Sequence, residues 1–116
     1  MGITNRFFAL IVVACALAIT PIAIAAGATA TATPSHPKVG KSVELKVTGL
    51  KPGERMKAHE LIADGGQTRT LYPKQRASAS GGVIIVTVKA QIKGKHTWTF
   101  TGRQSHRKAK TFYVVR

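Results

Sequence analysis

The chain has 116 residues, of which 18 are lysine or arginine and only four are acidic, so its formal net charge is +14. This length holds one domain with one core and excludes a separate catalytic lobe. One cysteine excludes an internal disulfide framework, and the charge favours polyanionic partners over cationic ones.

Residues 1–28 have the features of an export signal. Arg6 supplies a positive start, residues 7–24 are almost continuously apolar, and small residues follow. This order predicts a helical secretory signal peptide, so the mature protein is expected to be secreted, periplasmic or on the cell surface. Overlapping Ala-x-Ala cleavage sites end at Ala25, Ala28, Ala30 and Ala32. We favour cleavage after the first or the second of these.

Two alternatives to cleavage remain open for this leader. Cys15 follows Val-Val-Ala and loosely resembles a bacterial lipobox, whose cysteine is acylated, although the sequence after it stays apolar to Ala26. The apolar stretch of residues 7–26 also approaches the roughly 20 residues that span a bilayer, so an uncleaved anchor is the second alternative. Pro21 and the small residues behind it favour cleavage.

The mature chain is predicted to begin with a flexible segment and a strand. Residues 29–37 are rich in Thr, Ala, Pro and Ser and can pair as a first strand, which Pro34 and Pro37 restrict to a sheet edge. Apolar and charged residues alternate over residues 43–47, which predicts a half-buried strand. Residues 49–53 (GLKPG) predict a turn, because proline fixes one backbone dihedral and glycine accepts a positive one.

Residues 55–63 are the next predicted strand. Glu60 lies on the same predicted face as three apolar residues, so we expect a bulge or an edge position there. Residues 64–66 (DGG) predict a hairpin, residues 67–72 a short strand, and residues 73–82 a loop.

The most apolar predicted strand is residues 83–88. Its apolar side chains occupy both faces, so we expect it at the centre of a sheet. Gly94 opens a last hairpin in which His96, Trp98 and Phe100 alternate with threonines. We expect the tryptophan and the phenylalanine in the core, and the histidine in the core or at a corner.

The chain closes with a basic loop, residues 102–108, and a strand over residues 109–115. We expect Phe112 and Val114 to face inward and Tyr113 to face outward. After residue 30 no stretch has a helical period, and strands recur about every 10–15 residues, as in small antiparallel sandwiches. The sequence therefore predicts an all-β fold of about seven strands.

Four short motifs resemble the bacterial Ig-like modules of secreted and surface proteins. They are VGKSVEL at residues 39–45, GLKPGE at 49–54, SGGV at 80–83 and GKHTWTFTG at 94–102. The resemblance extends over residues 34–115 and implies an Ig-like β-sandwich over residues 38–116. Such modules serve as spacers, adhesins and binders of carbohydrate or protein, so it implies no particular ligand. The chain departs from the pattern in its charge and at His96, where tyrosine is usual.

The connectivity that this resemblance implies would bring three basic loops to one end of the sandwich. They carry seven basic side chains against one acid, Glu54, and arginine binds phosphate or carboxylate through two parallel hydrogen bonds. The predicted anion-binding residues are Lys51, Lys74, Arg76, Arg103, His106, Arg107 and Lys108. The competing interpretation is a solvated polar surface, and lysines at the opposite end support it.

Other chemistries have weaker patterns. Imidazole and thioether suit copper, and periplasmic copper carriers resemble this domain in size and fold, but no favoured cleavage site places a histidine at the mature N-terminus as theirs does. The candidate copper ligands are His36, Met56, His59, His96 and His106. No serine stands in a G-x-S-x-G elbow, and the zinc-protease motif is incomplete, so we predict no enzyme and no cofactor.

The sequence therefore favours a secreted or cell-surface binding and adhesion module that contacts anionic envelope polymers or partners through its basic loops. The alternative is a structural or accessory Ig-like module of an envelope assembly with protein partners. Nucleic acid is a less favoured, unspecific partner, because base stacking needs aromatic platforms and only Tyr72 and Tyr113 are candidates. We expect contact with a membrane only through an uncleaved leader.

Overall fold

The computed structural model describes residues 27–63 and 66–116. Within them the chain forms seven strands in two antiparallel sheets. The strands are β1 (Thr29–Thr33), β2 (Ser42–Thr48), β3 (Met56–Ile62), β4 (Gln67–Leu71), β5 (Ile84–Lys89), β6 (Gly94–Gly102) and β7 (Lys108–Val115). This described part holds no helix with the length and hydropathy of a membrane span. The predicted leader up to residue 26, including Cys15, and residues 64–65 of the predicted hairpin lie outside the described residues.

The two sheets have different sizes. The three-stranded sheet has the order β1-β2-β5, and the four-stranded sheet has the order β4-β3-β6-β7. β1 lies at an edge, as its neighbouring prolines predict. Beyond β1 the chain continues along β7, where the Ser35 and Pro37 carbonyls accept hydrogen bonds from the Val114 and Arg116 N–H groups at 2.9 and 3.0 Å. These bonds link the N-terminal segment to the C-terminal strand and close one side of the fold.

The core lies between the two sheets. β2 contributes Val43, Leu45 and Val47, and β6 contributes Trp98 and Phe100, none of which has exposed surface. The indole and phenyl rings stack with their centroids 6.1 Å apart. Each fully buried side chain of this kind contributes roughly 1.5–3 kcal/mol. The predicted core positions in both strands are confirmed.

The expectation that residues 83–88 form a central strand is wrong. β5 is an edge strand, and β2 occupies the centre of its sheet. Ile84 and Val88 face the core, whereas Ile85 is 45% exposed and shares its outward face with Thr87 and Lys89. The outward face is therefore mostly polar, which suits a strand that is buried on one side only.

The predicted orientation of the last strand is also wrong. Tyr113 is fully buried, whereas Phe112 is 53% exposed. The register of β7 against β6 places Tyr113 opposite the buried His96, so both point into the core. The Tyr113 hydroxyl accepts a hydrogen bond from the Trp98 indole nitrogen at 3.4 Å, which gives its polar end a buried partner. Phe112 instead lies 4.5 Å from the Lys95 ammonium on the outer face.

Glu60 needs neither a bulge nor an edge. It lies in β3, which pairs with β4 on one side and β6 on the other, and only 2% of it is exposed. The carboxylate keeps its inward direction because two partners satisfy it: the half-exposed Arg69 at 3.1 Å and the buried His96 at 2.7 Å. A buried charge is tolerated where it is paired in this way.

Candidate anion-binding tip

Three connections meet at one end of the sandwich, which we call the tip. It consists of residues 49–55, 72–83 and 103–107. The first connection bonds to the second twice: the Gly49 N–H donates to the Gly81 carbonyl, and the Gly53 N–H donates to the Ala77 carbonyl, each at 2.8 Å. The third connection joins the first where the Arg103 N–H donates to the Arg55 carbonyl at 2.9 Å, so the predicted meeting of the three loops is present in the structure.

Glu54 joins the first connection to the third. Its carboxylate has no exposed surface and accepts four hydrogen bonds. The Gln104 and Ser105 N–H groups donate to Oε1, each at 2.9 Å. The Ser105 hydroxyl and the Lys51 N–H donate to Oε2 at 2.8 and 2.5 Å. One carboxylate therefore holds two loops that lie 50 residues apart in sequence.

The environment of this carboxylate favours its charged form. Burial raises the pKa of Glu54, but the hydrogen bonds donated by Ser105, Gln104 and Lys51 outweigh burial and lower it from 4.5 to about 2. The acid of the tip is therefore ionised at neutral pH, and its negative charge is directed at backbone groups and away from solvent.

Two glycines permit the close approach of the loops. Gly82 has a φ of 60°, and a Cβ there would overlap the Leu50 backbone. A Cβ at Gly102 would lie 2.6 Å from Oε2 of Glu54. Any side chain at either position would separate the connections, so these glycines are required for the packed tip.

Three arginines surround a shallow depression on the tip. Arg55, Arg76, Arg103 and Gln104 line its volume of about 320 Å³. The Arg103 guanidinium lies 5.5 Å from the centroid of the Tyr72 ring, a cation–π contact that orients it. Guanidinium groups gathered around one depression are suited to grip phosphate or carboxylate oxygens.

The structure divides the seven predicted residues into three groups. Arg76 and Arg103 line the depression, and Arg76 also donates to the Gly53 carbonyl at 3.2 Å. Arg107 is engaged within the tip, because its Nη1 donates to the Gly49 carbonyl at 2.8 Å. The remaining four are exposed and lie outside the lining of the depression: Lys51, Lys74, His106 and Lys108.

Sequence reasoning missed Arg55 and Gln104. The predicted strand of residues 55–63 includes Arg55, but β3 begins one residue later, at Met56. The turn motif could have indicated that Arg55 belongs to the tip, because Arg55 directly follows GLKPGE. Gln104 has no charge, so no pattern in the sequence indicates that it belongs to an anion-binding site.

The candidate copper ligands are dispersed. Met56 and His96 are buried, His59 bonds the Thr70 hydroxyl at 3.2 Å, and His36 bonds the Ser35 hydroxyl at 3.0 Å. Residues 27–63 and 66–116 contain no group of three or more His, Cys, Asp or Glu side chains that could hold a metal ion.

Of the two candidate stacking aromatics, only Tyr72 lies at the surface, where it is 59% exposed. Tyr113 is enclosed in the core, as described above.

No protein-family model matches the chain, and no curated protein matches it in sequence. Solved structures of similar fold include macromomycin, with 15% identity and a TM-score of 0.53 over 77% of this chain and 99% of that chain. A superoxide reductase (neelaredoxin) from Ignicoccus hospitalis has 11% identity and a TM-score of 0.50 over 78% of this chain and 80% of that one. At these identities the likeness shows the fold alone, and it agrees with an all-β arrangement of two sheets.

Proposed function

We propose that the chain is an exported, non-enzymatic, Ig-like binding module that attaches to an anionic envelope polymer through the tip. The observation that carries the proposal is the arrangement of charge there. Three arginines surround one depression, while the acid of the tip, Glu54, is buried and saturated by its own loops. A polymer phosphate or carboxylate therefore meets an uncompensated positive surface.

The order of the strands supports the Ig-like part of the proposal. Two antiparallel sheets with the orders β1-β2-β5 and β4-β3-β6-β7 bring the three loops to one end, as the motif resemblance implies. The start of β1 at Thr29 supports export with cleavage after Ala25 or Ala28. Cleavage after Ala30 would remove two residues that pair with β2.

The dependence of binding on salt tests this proposal. Long-chain polyphosphate is titrated into the mature protein over a range of ionic strength, and the affinity is measured by calorimetry. Each phosphate contact is expected to add roughly 0.7–0.9 to the slope of log affinity against log salt. Three arginine contacts therefore predict a slope of roughly −2 to −3, by the same relation.

A matched pair of double variants locates the contact. Arg55→Gln with Arg103→Gln removes two charges from the tip, and we expect it to reduce the slope by roughly 1.5. Lys38→Gln with Arg116→Gln removes two charges outside the tip and is expected to leave slope and affinity nearly unchanged. Equal losses in both double variants would show that net charge, and not the tip, determines binding.

A second candidate function is a structural module of an envelope assembly with a protein partner. The outer face of the four-stranded sheet favours it, because Leu61 and Phe112 are 44% and 53% exposed on that face. Apolar contacts of this kind respond weakly to salt. Capture of an envelope protein that is unaffected by salt and is lost on Phe112→Ser would favour this function over polymer binding.

A further inference from the structure

A second concave site lies at the end of the sandwich away from the tip. It is a cleft of about 240 Å³ between the edge strand β4 and the connection that follows β5. Its walls are Ile62, Gln67, Arg69, Lys89, Gln91 and Ile92. Glu60 and His96 also line it, and both are almost completely buried.

A chain of hydrogen bonds fixes the floor of this cleft. The Trp98 indole N–H donates to the Tyr113 hydroxyl at 3.4 Å, and that hydroxyl donates to Oε2 of Glu60 at 3.4 Å. His96 Nδ1 lies 2.7 Å from the same oxygen, and its Nε2 lies 2.5 Å from the Ile92 carbonyl. Both imidazole nitrogens therefore face an oxygen, one of Glu60 and one of the Ile92 carbonyl.

The Glu60 carboxylate is fully engaged. Oε1 accepts from Arg69 at 3.1 Å, and Oε2 accepts from His96 and Tyr113. The floor therefore presents no free negative charge to a ligand. Among the residues that line the cleft, Glu60 is the one acid, and the Arg69 guanidinium and the Lys89 ammonium are its cations, so the lining carries a net positive charge.

Part of this positive charge is accessible. The Arg69 side chain is 50% exposed, and its guanidinium has N–H groups beyond the one that bonds Glu60. Lys89 is exposed at the end of β5 and forms no ion pair with another described residue. Ile92, which is 42% exposed, adds an apolar surface to the same wall.

We propose that this cleft binds a small organic carboxylate. The carboxylate lies between Arg69 and Lys89, the Gln67 and Gln91 amides supply further hydrogen bonds, and the apolar body of the ligand packs on Ile92. The volume lies just below the roughly 300–1,000 Å³ of pockets for drug-sized molecules, which suits a ligand of a few carbon atoms or one ring. The proposal does not depend on polymer binding at the tip.

Benzoate and hexanoate are suitable probes, with inorganic phosphate as the comparison. Binding to the mature protein is measured by calorimetry, and Trp98 fluorescence locates it. Trp98 is the only tryptophan, and its ring centroid lies 5.6 Å from the Arg69 guanidinium, so a ligand on Arg69 alters its emission. We expect saturable binding of one molecule of at least one carboxylate, together with a change in emission.

Lys89→Gln is the main variant, because this exposed side chain has no structural partner among the described residues. We expect it to weaken carboxylate binding about tenfold, the effect of losing one charge-assisted contact. Ile92→Asn is expected to weaken binding of the carboxylates and to leave phosphate unaffected. Lys46→Gln, an exposed lysine of β2 that lines neither the cleft nor the depression of the tip, is the control and is expected to change neither.

Three results would overturn the proposal. The first is a lack of saturable binding of both carboxylates. The second is an equal loss of affinity in Lys89→Gln and Lys46→Gln, which would indicate unspecific attraction to a cationic protein. The third is equal affinity for phosphate and for the carboxylates, which would remove the role of the apolar wall.

Discussion

Replacing Glu54 by glutamine isolates the role of the buried carboxylate that joins the loops of the tip. Glutamine has nearly the same shape, but it has one acceptor oxygen instead of two and carries no charge. The four hydrogen bonds donated by Ser105, Gln104 and Lys51 therefore cannot all be kept. We expect Glu54→Gln to destabilise the fold at neutral pH.

The size of the effect follows from the pKa. Folding lowers the pKa of Glu54 from 4.5 to about 2. A tenfold change in acid dissociation is equivalent to about 1.36 kcal/mol, so this difference corresponds to roughly 3 kcal/mol of stabilisation. Because the folded pKa is the lower one, the stabilisation is complete above pH 4.5 and is lost as the pH falls towards 2.

Urea unfolding followed by Trp98 fluorescence measures this free energy in the wild type and in Glu54→Gln. The two should differ by roughly 3 kcal/mol at pH 7, and the difference should close between pH 4.5 and 2. Glu44→Gln is the matched control, because Glu44 is exposed on β2 and the same chemical change there should cost almost nothing. A difference that is small at pH 7, or that does not change with pH, would refute the role assigned to Glu54.

Two further predictions concern the core. Tyr113→Phe removes the buried acceptor of the Trp98 indole N–H and is expected to cost about 1–3 kcal/mol in urea unfolding at pH 7. Because burial raises the pKa of Tyr113 above 10.0, the wild type should lose stability above that pH and its advantage over the variant should shrink. Phe100→Ala is expected to lower the free energy of unfolding by about 3–5 kcal/mol. Phe112→Ala should lower it much less, since Phe112 is exposed and Phe100 is buried. Equal losses would contradict the orientation of β7.

The period of two in the sequence was enough to place most of the core. It identified the inward residues of β2 and β6, because in those strands apolar and polar residues alternate without conflict. In β7 the pattern is ambiguous, since Phe112 and Val114 offer one apolar face while Tyr113 and Val115 offer another. The register against β6 decides between the two faces, and a single strand does not contain that information.

The candidate sites were predictable only in part. Loop connectivity was enough to bring Arg76 and Arg103 together, but sequence gave no means to separate them from Arg107, which bonds a backbone carbonyl. The cleft was not anticipated, because its floor depends on a contact between Glu60 and His96, 36 residues apart. The sequence shows Glu60 only as a charged residue on a predicted apolar face. Its partners, Arg69 and His96, can be identified only from the assembled sheets.

Two of the four acids of this chain are buried, so their negative charges do not offset the positive charge of the surface. Within residues 27–63 and 66–116, Glu54 and Glu60 are buried and hydrogen-bonded, and Glu44 is the one exposed acid. A count of charges alone would predict that Glu54→Gln binds polyanions more tightly, because a negative charge is lost. The structure predicts weaker binding, because Glu54 holds the loop of Arg103 against the loop of Arg55 and preorganises the depression. Polyphosphate titration of the folded variant decides between the two, and tighter binding would show that the tip acts only through its net charge.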